Sequence, residues 1–229
     1  MPIKSIYLTI DDAPSVVMPK KVEFLLQHKI PALFFCRGEF IASYKQHVVE
    51  AIAQGFLIGN HSYSHPYFSK VPLASCFEEI VKTEALIMEC YQKAKVPRPV
   101  KVIRLPFGDR GAGGDLQEAI AIEEEEKVFQ IQIFLKENGF VPLILPFCSQ
   151  RDEGMSYIDV EWDWDTSDYQ AKLIKNPEAY RAHLLKHWDQ SLQETETILL
   201  HDFTHSHHLF EITMDFLLGQ KVQFLPFPL

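Results

Sequence analysis

The sequence predicts a single α/β domain built on parallel strands. Short apolar runs alternate with longer stretches of helical periodicity along the whole chain. Its 229 residues suit one large domain, and no internal repeat, linker or low-complexity tract divides them. With 47% hydrophobic residues and 17 Phe it can bury a sizeable core, which excludes disorder and collagen-like structure. Strand–helix–strand order implies crossover helices between parallel strands, as in an α/β barrel or an open sheet.

Taken in order, the strands are expected at residues 5–10 (SIYLTI), 32–36 (ALFFC), 56–59 (FLIG), 100–104 (VKVIR), 140–145 (FVPLIL), 157–162 (YIDVEW), 198–201 (ILLH) and 222–225 (VQFL). Between them, residues 19–28, 39–54, 73–92, 115–137, 177–190 and 207–218 have helical patterning. Gly55, Gly139 and Gly219 follow three of these stretches, where a left-handed residue commonly ends a helix. Glutamates fill positions 123–126, and four adjacent carboxylates repel and point in different directions. A solvated helix face accounts for them better than a metal or a basic partner.

A net charge of −9 argues against nucleic acid or an anionic membrane as the main partner. No apolar run approaches the roughly 18 residues a membrane-spanning helix needs. The opening MPIKSIYLTIDD lacks the pattern of a secretory leader, so a cytoplasmic chain is expected. Cys36, Cys76, Cys90 and Cys148 are widely spaced with no CxxC, and are expected to be reduced thiols.

Active sites of barrels and open α/β sheets lie at the carboxyl ends of the strands. There the sequence places Asp11-Asp12-Ala13-Pro14, then residues 60–65 (NHSYSH), residues 104–108 (RLPFG), residues 164–168 (WDTSD) and His201-Asp202. His61 and His65 are four apart, so on a helical turn they share one face and can hold one metal ion. A carboxylate from another strand end would complete an open, catalytic type of site. In the Asp11-Asp12 pair, one carboxylate can bind metal while its neighbour faces the water. The alternative is that Asp12 caps a turn begun by Pro14. Arg104 beside Asp11 would keep that carboxylate ionised, as a general base needs. A nearby Asp would orient His201 and keep it protonated enough to donate to a leaving group.

These motifs resemble, in order and over nearly the whole chain, the polysaccharide deacetylases of carbohydrate esterase family 4, with chitooligosaccharide-deacetylase homology. Residues 9–14 (TIDDAP) look like TFDDGP, and residues 32–38 (ALFFCRG) like ATFFVxG. Residues 59–65 (GNHSYSH) are similar to GNHTxxH, 104–108 to RxPxG, 162–169 (WDWDTSDY) to WxxDxxDW, and 199–202 (LLHD) to LxHD. The resemblance implies a distorted (β/α)7 barrel with one divalent metal ion, zinc or a similar ion such as cobalt, nickel or manganese. It implies Asp12, His61 and His65 as metal ligands and Asp11 as the base that activates water, paired with Arg104. His201 would be the general acid, oriented by Asp165 in preference to Asp168. The backbone N–H of Phe107 would help hold the oxyanion, and Leu199 and Trp162 would line the pocket for the acyl methyl. Ala13 replaces a usual Gly, Leu105 a common Pro and Tyr169 a common Trp, and none of these removes a ligand or catalytic side chain.

The expected activity is removal of an acetyl group from an N-acetylated sugar or a related small amide. Alternatives are a hydrolase of a non-sugar linear or cyclic amide on the same fold, a non-haem iron oxygenase, or a glycan-binding protein. The oxygenase leaves Asp11, Arg104 and His201 unexplained, and binding alone needs no acid and base together. Trp162, Trp164 and Tyr169 can stack on sugar rings, with Trp164 opposed to Trp162 if the strand alternates. His205, His207 and His208 are expected to be exposed residues at the start of the last helix.

Overall fold

The computed structural model describes residues 3–113, 122–143, 157–191 and 193–228. Its centre is β1 (Ser5–Ala13), buried along its length after the first residue. β1 pairs in parallel with β2 (Ala32–Cys36) on one side and β5 (Thr195–His201) on the other. β3 (Leu57–Asn60) extends the sheet beyond β2, and β4 (Trp164–Asp165) beyond β5, giving the order β3-β2-β1-β5-β4. β6 (Gln223–Phe224) joins the amino end of β1. The helices are α1 (Met18–Gln27), α2 (Gly38–Ala53), α3 (Leu73–Ala94), α4 (Ile122–Glu137), the short α5 (Ala171–Ile174), α6 (Pro177–Gln190) and α7 (His207–Gly219). None among the described residues is long and apolar enough to cross a membrane.

Strand residues alternate between two cores. Ile6, Leu8, Ile10 and Phe34 pack outward with Val22, Leu25, Ile52, Leu209 and Met214 of the helices. Tyr7, Leu33 and Phe35 point the other way, into a cluster with Val102, Val160 and Phe227 that fills the inside of the curved sheet. Asp11 has the inward parity of Tyr7, so the alternation that builds the interior also carries its carboxylate to the carboxyl-terminal mouth.

Beyond β3 the ring continues through single bonds rather than ladders. Asn60 bridges Ile103, Val160 N donates to Ile103 O at 2.8 Å, and Asp163 N donates to Thr197 O at 2.9 Å, returning to β5. The expected strand at 100–104 is therefore one bridge, and that at 157–162 is displaced to the two residues of β4. Arg104 is the physical reason the gap holds. Its Nε and Nη2 donate to Val160 O and Glu161 O, both at 3.0 Å, satisfying carbonyls that a ladder would otherwise take up.

Residues 140–143 form no ladder, although Val141 N donates to Lys101 O at 3.0 Å; the rest of that expected strand lies outside the described residues. The first part of the expected helix 115–137 and Cys148 also lie outside them. α6 matches its expected bounds, with Asn176 accepting from Ala179 N at its start and Pro177 in its first turn. Gly55 and Gly139 are left-handed, at φ 92° and 76°, as their helix-ending role requires. On α4, Glu125 and Glu126 are exposed while Val128, Ile131 and Leu135 are buried. Cys36, Cys76 and Cys90 are buried free thiols.

Candidate metal centre and active site

β1 does not stop before the aspartates; it carries both. A register shift between Ile10 and Ala13 coincides with a left-handed Asp12, at φ 58°. This bulge breaks the alternation, so Asp12 joins Asp11 in lining one cavity instead of turning to the outer face. The left-handed residue is thus Asp12, and Ala13 needs no glycine-like φ. Nor does Asp12 cap a turn, because α1 starts only at Met18 and has no side-chain cap. Arg104 Nη1 donates to Asp11 Oδ1 and to Thr9 Oγ1, both at 2.8 Å. The guanidinium lies 4.5 Å above the Phe35 ring and 5.3 Å from that of Trp162, almost wholly buried. Asp11 thus has one oxygen tied to a cation and the other, Oδ2, directed toward His61 Nε2 at 3.5 Å.

His61 and His65 meet through a turn, not on a helical face. Ser62 and His65 are left-handed, at φ 59° and 62°, and fold the segment back on itself. Glu79 of α3 fixes this turn, accepting from Tyr63 N, Ser64 N and Ser64 Oγ at 2.8, 2.6 and 2.8 Å. His61 Nδ1 lies 2.7 Å from Arg104 O. A carbonyl only accepts, so Nδ1 carries the proton and Nε2 presents a lone pair. Burial pushes the His61 pKa down to about 3, and burial together with His61 pushes His65 to about 2, so both rings are neutral. Burial raises Asp12 to about 6.

The donor atoms of Asp12, His61 and His65 lie within 4.8 Å of one another, the one such group among the described residues. The two Nε2 atoms are 3.2 Å apart, and Asp12 Oδ1 is 3.6 Å from His65 Nε2. Tetrahedral bonds of about 2.0–2.2 Å place donor atoms about 3.3–3.6 Å apart. Two of the three donor pairs stand near such spacings and all three atoms lie within 4.8 Å of one another, so two imidazole nitrogens and a carboxylate oxygen can hold a small divalent cation.

Across the cavity, His201 ends β5. Its Nδ1 is 2.7 Å from Asp168 Oδ1, and its backbone N donates to Asp168 Oδ2 at 2.9 Å. The expected partner, Asp165, is corrected to Asp168. Asp165 is engaged locally, accepting from Ser167 N at 2.7 Å and from Tyr169 Oη at 3.2 Å. Ser167, left-handed at φ 59°, then turns Asp168 inward. Burial alone would lower the His201 pKa, but Asp168, then Asp11 and Asp12, raise it to about 9.

These groups open into a cavity of about 540 Å³ that Leu199, Trp162, Phe107, Tyr67 and Tyr169 also line. Phe107 is left-handed, at φ 59°, and stacks on Tyr67 with ring centres 3.9 Å apart. Trp164 is not available to a ligand: it is buried in the outer core and stacks on His187. His205 is exposed, while His207 and His208 are half-buried in or beside the first turn of α7.

Two charged residues of the site escaped the sequence argument. Lys21, fully buried, pairs with Asp202 Oδ1 at 2.9 Å and donates to His201 O at 2.9 Å. Asp202 also accepts from Ser15 N and Oγ, tying the acid-bearing strand end to the loop after β1. Arg37, at the end of β2, lines the cavity beside Asp12. A lysine in the core-facing stripe of α1 and an arginine closing an all-apolar strand were the available signals.

Fold and site together define a parallel α/β barrel with a candidate mononuclear metal centre at the carboxyl ends of its strands. The polysaccharide deacetylase sequence pattern matches residues 1–118, just over half of the chain, and the chain belongs to that family. It is 31% identical over 106 residues to a chitooligosaccharide deacetylase of Bradyrhizobium sp. (strain ANU 289), covering 46% of this chain and 47% of that one. It is 36% identical over 103 residues to a peptidoglycan-N-acetylglucosamine deacetylase of Bacillus cereus, covering 44% and 36%. The matches thus span about half, or less, of those relatives. The fold matches that of peptidoglycan deacetylase PdaC from Bacillus subtilis, with a TM-score of 0.62 and 22% identity over 98% of this chain and 88% of that one.

Proposed function

We propose that the chain is a metal-dependent hydrolase that removes an acetyl group from an N-acetylated amino sugar or a related small amide, with zinc as the ion. One observation carries this: a donor set of two neutral histidines and the Asp12 carboxylate stands between an Arg-held carboxylate and an Asp-held imidazole in a single cavity. A dication there supplies Lewis acidity, polarising the acyl oxygen and making water acidic enough to attack at neutral pH.

The protein's own groups then divide the proton work. Asp11, with Oδ1 tied to Arg104, takes the proton of the attacking water on Oδ2. His201, with Nδ1 held by Asp168, presents Nε2 to the leaving nitrogen and protonates it as the C–N bond breaks. The N–H of Phe107 helps hold the oxyanion, and Leu199 and Trp162 receive the acyl methyl. The exposed faces of Tyr169 and Phe107 suit the apolar faces of a sugar ring. The deacetylases of acetylated glycans among its relatives support that substrate class.

The test is acetate release from N-acetylglucosamine oligomers by chelator-treated protein, with and without added zinc. Zinc-dependent release is expected. Zinc-loaded protein that releases neither acid nor amine from acetylated amino sugars and small amides would refute the reading.

A further inference from the structure

Arg37 sits where a metal-binding site has least use for a cation. Its Nη1 is 3.4 Å from Asp12 Oδ1, the oxygen that also faces His65. Its Nη2 pairs with Glu39 and donates to Ser64 O at 3.3 Å, in the turn that carries His65. The group is largely buried, its Nε has no hydrogen-bond partner, and its face lies 4.3 Å from the Phe40 ring. Two carboxylates, one on each side, therefore hold this guanidinium more than a saturated set of hydrogen bonds does.

We propose that Arg37 is a built-in counter-cation for Asp12 that competes with the metal ion, and that Glu39 sets the strength of this competition. The proposal rests on the metal site read above. A cation on Asp12 Oδ1 through a bond of about 2.1 Å stays within about 5.5 Å of Arg37 Nη1, given the 3.4 Å contact. Even in a water-like dielectric, repulsion between a dication and a guanidinium at that range corresponds to about tenfold in affinity. Before metal binds, Arg37 neutralises Asp12 and links β1 to the histidine turn, so the donor set stays assembled. Once metal binds, the guanidinium has Glu39 as its remaining carboxylate partner, which stabilises the loaded state. Arg37 thus preforms the site and weakens its grip, and Glu39 partly offsets the weakening.

The two residues should therefore shift affinity in opposite directions, which a merely structural role would not do. Zinc affinity is measured by competition with a chromophoric chelator on metal-depleted wild type, Arg37→Gln and Glu39→Gln. Arg37→Gln should bind zinc about tenfold more tightly. Glu39→Gln, which frees the guanidinium for Asp12, should bind it about threefold more weakly. Unchanged or weaker binding by Arg37→Gln, or unchanged or tighter binding by Glu39→Gln, overturns the proposal. Should Arg37→Gln not fold, Glu39→Gln alone decides. A wild type that binds no zinc refutes the metal site itself, and the competition with it.

Discussion

Replacing Asp168 by Asn should strip His201 of the charge that keeps it protonated. The His201 pKa stands at about 9 against an ordinary 6.5, despite burial that opposes the charged ring. At 1.36 kcal/mol per pH unit, that rise favours the imidazolium by about 3 kcal/mol. The first contributor after burial is Asp168, through its charge and its 2.7 Å contact with Nδ1. Without that charge, burial faces only Asp11 and Asp12, and the pKa should fall by roughly two units. NMR titration of the His201 ring in metal-depleted protein reads this directly. Asp165→Asn should move it by less than about half a unit, because Asp165 makes no direct contact with the ring.

A linked effect appears in stability. Because folding raises this pKa, the contribution is fully present below about pH 6.5 and is lost as pH rises through about 9. Unfolding of the wild type should thus become easier across that window, and the corresponding slope should shrink in Asp168→Asn. A His201 pKa that falls as far in Asp165→Asn as in Asp168→Asn would refute the pairing.

Other expectations concern the division of labour around the cavity. Asp11→Asn should keep zinc and lose ~10²–10⁴-fold in kcat, whereas Asp12→Asn, His61→Ala and His65→Ala should lose zinc itself; metal analysis beside turnover separates them. His201→Ala should keep its metal and suffer far more on amides than on activated aryl acetates, whose leaving groups need little protonation; equal losses would remove it from the acid role. Lys21→Met should destabilise the fold by about 3–5 kcal/mol in denaturant titration, because Asp202 is left charged, buried and unpaired. Lys21→Met with Asp202→Leu should recover part of that loss.

The sequence by itself determined the strands that are buried on both faces. β1, β2 and β3 carry near-continuous apolar runs that are visible without neighbours, whereas β5 shows one only at 198–200, and its polar first residues, 195–197, were not legible as strand. It also determined which chemical groups gather at the mouth, because parallel strands deliver their carboxyl ends to one side. Asp12, His61 and His65, the set implied by the family resemblance, have their donor atoms within 4.8 Å of one another.

Tertiary structure decided everything that hangs on a single backbone turn or a single bond. The left-handed residues Asp12, Ser62, His65 and Ser167 set which way their neighbours face, and no periodicity encodes a left-handed L-residue. That is why Asp168 rather than Asp165 grips His201, and why HxxxH is a turn rather than a helix face. The segments at 102–104 and 160–163 lack a ladder because Arg104 takes up the carbonyls of Val160 and Glu161, a contact spanning more than fifty residues of sequence. In the chain, Lys21 stands in the apolar stripe of α1 and Arg37 follows an apolar strand, but neither position names its partner. Only in the folded protein do Asp202, Asp12 and Glu39 converge on them, because burial makes an unpaired charge too costly to leave alone.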